Sequence, residues 1–184
     1  MTVICFGDSN TFGYDPRSYI GGRYDADARW VDILAAETGW EVRNNGMNGR
    51  EVPCREVMFS RSADLLIIML GTNDLLHGRT CGEISARMEH FLSSLTIEKS
   101  KLLLIAPPAL VSGDWVQERS LIEESASLAS HYSELSERLG IDFVDAGEWR
   151  ISLAFDGVHF TEEGNREFAS ELCGYLRETG RYNL

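Results

Sequence analysis

Several features that would assign the chain quickly to a class are missing. Its four cysteines, Cys5, Cys54, Cys81 and Cys173, are scattered and form no C-x-x-C pair. That spacing argues against a zinc site and against a disulfide-built fold. Basic residues are scarce, 17 against 29 acidic, for a net charge of −12. So negative a chain is repelled by nucleic acid and by anionic lipid, and neither is expected as a partner. No apolar run approaches the roughly 20 residues needed to span a bilayer. The opening MTVICFGDS lacks a basic segment and a long apolar segment, so it reads as a strand and not as a signal peptide. A reducing, cytoplasmic setting is the corresponding expectation. The G-x-S-x-G elbow is absent, which disfavours the α/β-hydrolase fold. So are the phosphate-binding P-loop, the dinucleotide glycine fingerprint and H-E-x-x-H, which leaves nucleotide binding and zinc hydrolysis without support.

What is present is an ordinary globular composition, 43% hydrophobic and 25% charged over 184 residues, suited to a single domain spanning residues 1–184. Short β-rich runs cover residues 2–6, 65–70, 101–106 and 141–144, mostly apolar, with a weaker run at 41–45; short continuous apolar runs suit strands buried on both faces of a parallel sheet. Helical stripes fall between or after them. Trp30, Ile33 and Leu34 form one, closed by Gly39. Ile84, Met88, Phe91, Leu92 and Leu95 form another, preceded by a Thr80/Glu83 capping box. Leu121, Leu128, Tyr132, Leu135 and Leu139 read as a single stripe ending at Gly140, and Phe168, Leu172, Tyr175 and Leu176 as the last, with Thr161 as its N-cap. Regular β-α alternation through all five strands predicts an α/β fold, with helices on both faces of the sheet and right-handed crossovers. Ligands bind such sheets beyond the carboxyl ends of the strands.

Four motifs fall at that edge: Gly7-Asp8-Ser9-Asn10 after the first strand, Asn45-Gly46 after the second, Gly71-Thr72-Asn73-Asp74 after the third, and Asp156-Gly157-Val158-His159 after the fifth. Together they supply acyl-transfer chemistry. A serine hydroxyl needs a base to become nucleophilic, and the base needs a carboxylate to fix its tautomer. Ser9, His159 and Asp156 fill those roles. The backbone N–H groups of Ser9 and Gly46 and the side-chain amide of Asn73 are candidate donors to the oxyanion. For the pocket wall the reading nominates Phe12 beside the nucleophile, His77 beyond the third motif, and Leu110, Val111 and Trp115, which follow Pro107 and Pro108 after strand four. A competing reading uses Asp8, Asp74 and Asp156 as oxygen ligands of a divalent ion in a metal-dependent phosphohydrolase.

The blocks CFGDSNTFGYDP, ARW around Trp30, LLIIMLGTND, IAPPAL and DGVHFTEEGN run through nearly the whole chain in order. They resemble the SGNH (GDSL-type) hydrolases, and most of all their bacterial arylesterase and acyltransferase branch. The four name-giving residues of that family map onto Ser9, Gly46, Asn73 and His159. The resemblance implies a flavodoxin-like three-layer α/β/α sandwich with five parallel strands. It also implies hydrolysis of small acyl, aryl or O-acetyl esters through an acyl-enzyme, with neither metal nor cofactor. A small-molecule ester is then the expected partner, acyl transfer a companion activity, and a homo-oligomer compatible with the branch. Two departures lie beside the nucleophile: Asn10 stands where leucine gives the GDSL name, and Phe12 where the branch often has tryptophan. Both bear on the substrate and not on the reaction type.

Overall fold

A computed structural model describes residues 1–18 and 20–180. Five strands, β1 (Thr2–Gly7), β2 (Glu41–Gly46), β3 (Leu65–Met69), β4 (Leu102–Ala106) and β5 (Asp142–Asp145), form one sheet in the order β2-β1-β3-β4-β5. Every pairing is parallel. Period-2 alternation divides each inner strand between two cores. Ile4, Phe6, Leu66, Ile68, Leu102 and Leu104 face one side, while Val3, Cys5, Leu65, Ile67, Leu103 and Ile105 face the other. Burial of each such Leu or Ile contributes about 2 kcal/mol.

Helices α2 (Trp30–Thr38) and α7 (Glu162–Glu178) cover the second face with Trp30, Leu34, Phe168 and Leu172. On the first face lie α4 (Cys81–Ser94) and α6 (Leu128–Leu139), contributing Ile84, Met88, Phe91, Tyr132 and Leu135. The result is a three-layer α/β/α sandwich. The capping box is present, with Thr80 accepting from the Glu83 N–H and Glu83 reaching back to Thr80, and Thr161 caps α7 through the Gly164 N–H. No described helix is long and apolar enough to cross a membrane.

Two details depart from the sequence reading. No helix lies between β2 and β3, so the β-α alternation fails there. Residues 47–64 contain Pro53 and lack an apolar stripe of helical period; they cross the sheet irregularly, burying Val52 and Ala63. The long leucine stripe is also two helices, α5 (Arg119–Ala126) and α6, parted at Ser127. Ser125 and Ser127 turn their hydroxyls back onto the Ile122 and Glu123 carbonyls, a side-chain bond that bends helices.

Strand register sets the functional edge. Gly7 pairs with both Gly46 and Met69, Met69 with Ile105 and Ala106 with Asp145, so five segments leave the sheet at nearly one level. Two short helices start there, α1 (Ser9–Phe12) after β1 and α3 (Thr72–Leu76) after β3.

Candidate active site

Asp8 caps α1, its Oδ1 accepting the Asn10 N–H at 3.0 Å, and so turns the chain sharply at Ser9. The Ser9 Oγ lies 3.0 Å from Nε2 of His159, and Nδ1 of His159 lies 2.6 Å from Oδ2 of Asp156. Oδ1 of Asp156 is occupied differently, accepting the backbone N–H groups of Val158 and His159 at 2.9 and 3.0 Å. The three residues are between 1% and 6% exposed, so their mutual attraction is not dissipated by water. Burial alone would raise the Asp156 carboxyl, but the His159 ring and the two N–H donors outweigh it and hold the group below the ordinary aspartate range.

Asn10 is tied into the same unit. Its Nδ2 donates to the Val158 carbonyl at 3.1 Å and its Oδ1 accepts the Phe160 N–H at 2.9 Å, gripping both neighbours of His159. Its own carbonyl accepts the Trp30 indole N–H at 2.9 Å. Asn10 therefore braces the His159 segment against the Ser9 turn.

A cavity of about 290 Å³ opens over Ser9 and His159, lined also by Tyr14, Asn48, Gly49, Asn73 and Trp115. Tyr14 and Trp115 flank the imidazole, with ring centroids 4.6 and 5.1 Å from it. The Trp115 N–H donates to the Asp156 carbonyl, which fastens that loop to the segment bearing the acid. A larger cleft nearby, about 540 Å³, holds none of Ser9, His159 and Asp156.

The stretch of the second motif holds two glycines in different settings. Gly46 is the last residue of β2, and its N–H is spent on Oδ1 of Asn44 at 2.9 Å. Its missing side chain serves packing, because a Cβ there would lie 2.1 Å from the Phe12 nitrogen. Three residues on, Met47 to Arg50 form a turn closed by the Arg50 N–H on the Met47 carbonyl, with Gly49 at φ +72°. That conformation favours glycine, and Gly49 is the residue that lines the cavity. Asn73 is where the sequence reading put it, its Nδ2 donating to the Arg50 carbonyl at 3.1 Å and lying 3.5 Å from Asp8.

Of the five residues nominated for the pocket wall, Trp115 alone lines this cavity. Phe12 lies under the Arg23 guanidinium. His77 is mostly exposed and meets Glu51 at 2.7 Å. Leu110 turns inward onto Val116 and Val158, and Val111 is exposed, its N–H fixed to the Gly157 carbonyl. The three aspartates of the metal reading do not converge either. Asp74 accepts the Val52 N–H and pairs with Arg79 and Arg87, Asp8 caps α1, and Asp156 serves His159. No group of three or more His, Cys, Asp or Glu among the described residues is arranged to hold a metal ion.

Burial raises the Asp8 carboxyl from 3.8 to about 6, against the opposing pull of the Asn10 N–H, His159 and Arg50. A carboxyl raised on folding favours the native state most when protonated, so its contribution is complete below pH 4 and is lost as the pH rises through 6. Asp8→Asn keeps an acceptor for the Asn10 N–H and removes that titration. Relative to the unmodified protein, its unfolding free energy should rise by about 2 kcal/mol between pH 4 and pH 7. Urea unfolding at the two pH values measures this, and a constant difference would show that Asp8 is not an ionised buried group.

The family model for GDSL-like lipase/acylhydrolase matches residues 5–167. Among solved structures, the aryl esterase of M. smegmatis is 28% identical, with 96% of this chain and 98% of that one covered and a TM-score of 0.81. A carbohydrate acetylesterase from Sinorhizobium meliloti is 25% identical, with 97% and 99% covered and the same TM-score of 0.81. No curated protein sequence matches the chain.

Proposed function

Since the chain belongs to the GDSL-like lipase/acylhydrolase family and is a serine ester hydrolase, we propose that Ser9 is its nucleophile, His159 its general base and Asp156 the orienting acid. The observation carrying this reading is the buried relay of 3.0 and 2.6 Å from Ser9 Oγ through the imidazole to Asp156, open to a cavity on the serine side.

In this mechanism ionised Asp156 keeps the imidazole proton on Nδ1, leaving Nε2 free to accept. Ser9 Oγ attacks the ester carbonyl as its proton passes to Nε2. The developing oxyanion is met by the N–H groups of Ser9 and Gly49 and by the Asn73 amide. Neither of those N–H groups has a protein acceptor among the described residues. Each such donor is worth about 3–4 kcal/mol in the transition state. The imidazolium then protonates the departing alkoxide, whose place beside Nε2 lies between Tyr14 and Trp115. Water deacylates Ser9 by the same route, and an alcohol in its place gives acyl transfer.

Small acyl, aryl and O-acetyl esters are the substrates of this reading, supported by the modest cavity and its two aromatic walls. The large exposed apolar residues Val111, Trp115 and Phe155 around the cavity's loops support a homo-oligomer that shelters the entrance. Four unpaired cysteines support a reducing, cytoplasmic setting.

A fluorophosphonate tests the assignment. It should add one phosphonyl group, located on Ser9 by peptide mass spectrometry, and p-nitrophenyl acetate turnover should stop in step. Labelling or full turnover in Ser9→Ala would sink the reading.

A further inference from the structure

The larger cleft, about 540 Å³, has a function of its own to account for. Phe6, Val52, Pro53 and Val57 give it an apolar floor. Arg50, Arg55 and Arg87 stand around that floor in a protein of net charge −12, with Glu51 as the one acidic residue of the lining. Arg87 is already engaged by Glu51, Asp74 and the Val52 carbonyl. Arg55 is exposed and makes no recorded ion pair or hydrogen bond among the described residues. Arg50 uses Nη1 alone, for the Gly7 and Asn45 carbonyls, while its guanidinium stacks 4.1 Å above the Phe6 ring. A guanidinium fork beside an apolar floor matches a carboxylate on a short hydrocarbon chain. The volume suits a small ligand.

This cleft adjoins the Ser9 cavity, because Gly49 lines both. Arg50 is the joint between them. Its side chain holds the carbonyl of Gly7, two residues before Ser9, and that of Asn45 before the turn. Its N–H closes the turn that presents Gly49, and its carbonyl accepts the Asn73 amide. A carboxylate that draws the guanidinium toward the cleft takes it from Gly7 and Asn45. It thereby favours a state in which the Gly49 and Asn73 donors are displaced. A ligand shifts such an equilibrium only through a contact that differs between the two states, and the Arg50 contact supplies it.

We propose that this cleft is a second binding site, for a monocarboxylate with a short apolar chain, and that its occupant lowers turnover at Ser9 through Arg50. The ligand is of the same chemical class as the acid that ester hydrolysis releases, so the site would couple rate to accumulated product. The effect on turnover rests on the proposed role of Ser9; the binding does not.

Hexanoate is the probe. In calorimetric titration it should bind Ser9→Ala protein, with an affinity about tenfold lower once Arg55→Glu is added. Hexanol, of equal length and no charge, should not bind. In turnover of p-nitrophenyl acetate, hexanoate should lower kcat with KM unchanged, and Arg55→Glu should relieve that inhibition while basal turnover stays as before. Val57→Asp, which puts a negative charge on the floor, should relieve it too. Failure of Ser9→Ala protein to bind hexanoate overturns the proposal. So does equal affinity with and without Arg55→Glu, or inhibition that raises KM alone, the mark of binding at the Ser9 cavity. If Ser9→Ala retains turnover, the catalytic assignment fails while the titration still decides the cleft.

Discussion

Asp156→Asn should lower kcat for p-nitrophenyl acetate by about 10⁴-fold while leaving the fold in place, because the change is isosteric. The reason lies in how the carboxylate's two oxygens are used. Oδ1 accepts two backbone N–H groups, from Val158 and His159, and Oδ2 accepts from His159 Nδ1. An asparagine has one acceptor and one donor end. Two backbone donors oblige its oxygen to take the Oδ1 place, so its amide N–H₂ must face Nδ1. The imidazole then carries its proton on Nε2, toward Ser9, and cannot receive another. A variant that keeps kcat within tenfold of the unmodified enzyme would show that Asp156 does not set the tautomer.

His159→Ala should cost more, about 10⁶-fold in kcat, and adding Ser9→Ala should cost almost nothing further. In the proposed mechanism Ser9 and His159 act in one step. Ser9 Oγ, 3.0 Å from Nε2, has no second base within hydrogen-bonding reach among the described residues. The hydroxyl of the single variant is consequently as unreactive as an absent one. Single-turnover rates of the two single variants and the double variant measure this directly. Losses that multiply in the double variant would mean that Ser9 and His159 contribute independently, which the shared proton forbids.

The sheet and the Ser9 turn are legible because that turn sits where a strand stops; Asp156 and His159 lie 11 and 14 residues past the end of β5 at Asp145, in a motif of their own. Gly7, Gly71 and the turn before Thr161 interrupt apolar runs sharply, and parallel strands leave their loops at one edge. The glycine of the second motif was harder. The stretch NNGMNG offers two glycines, and the choice depends on β2 ending at Gly46 and on a left-handed φ at Gly49, neither of which composition reveals. Tyr14 escaped notice for a related reason. It follows Gly13, also left-handed at φ +86°, whose reversal returns the ring to the imidazole it would otherwise leave. The wall residues after β4 were placed by their distance from a strand end, which says nothing of side-chain direction in an aperiodic loop. Leu110 accordingly turned out to be packed inward and Val111 outward. From its place beside the nucleophile, Asn10 reads as bearing on the substrate. Its partners are the Val158 and Phe160 backbone, 148 and 150 residues away, a pairing that no local pattern could disclose.

That long-range clasp has a temporal meaning. The Ser9 turn and His159 are 150 residues apart, so bringing them together closes a very long loop. Contacts of such sequence separation are costly to form and tend to limit folding speed. An emerging or half-assembled chain can therefore possess its serine, its glycine turn and most of its sheet and still be chemically inert. Hydrolysis requires that closure, and the regain of activity after dilution from denaturant times it.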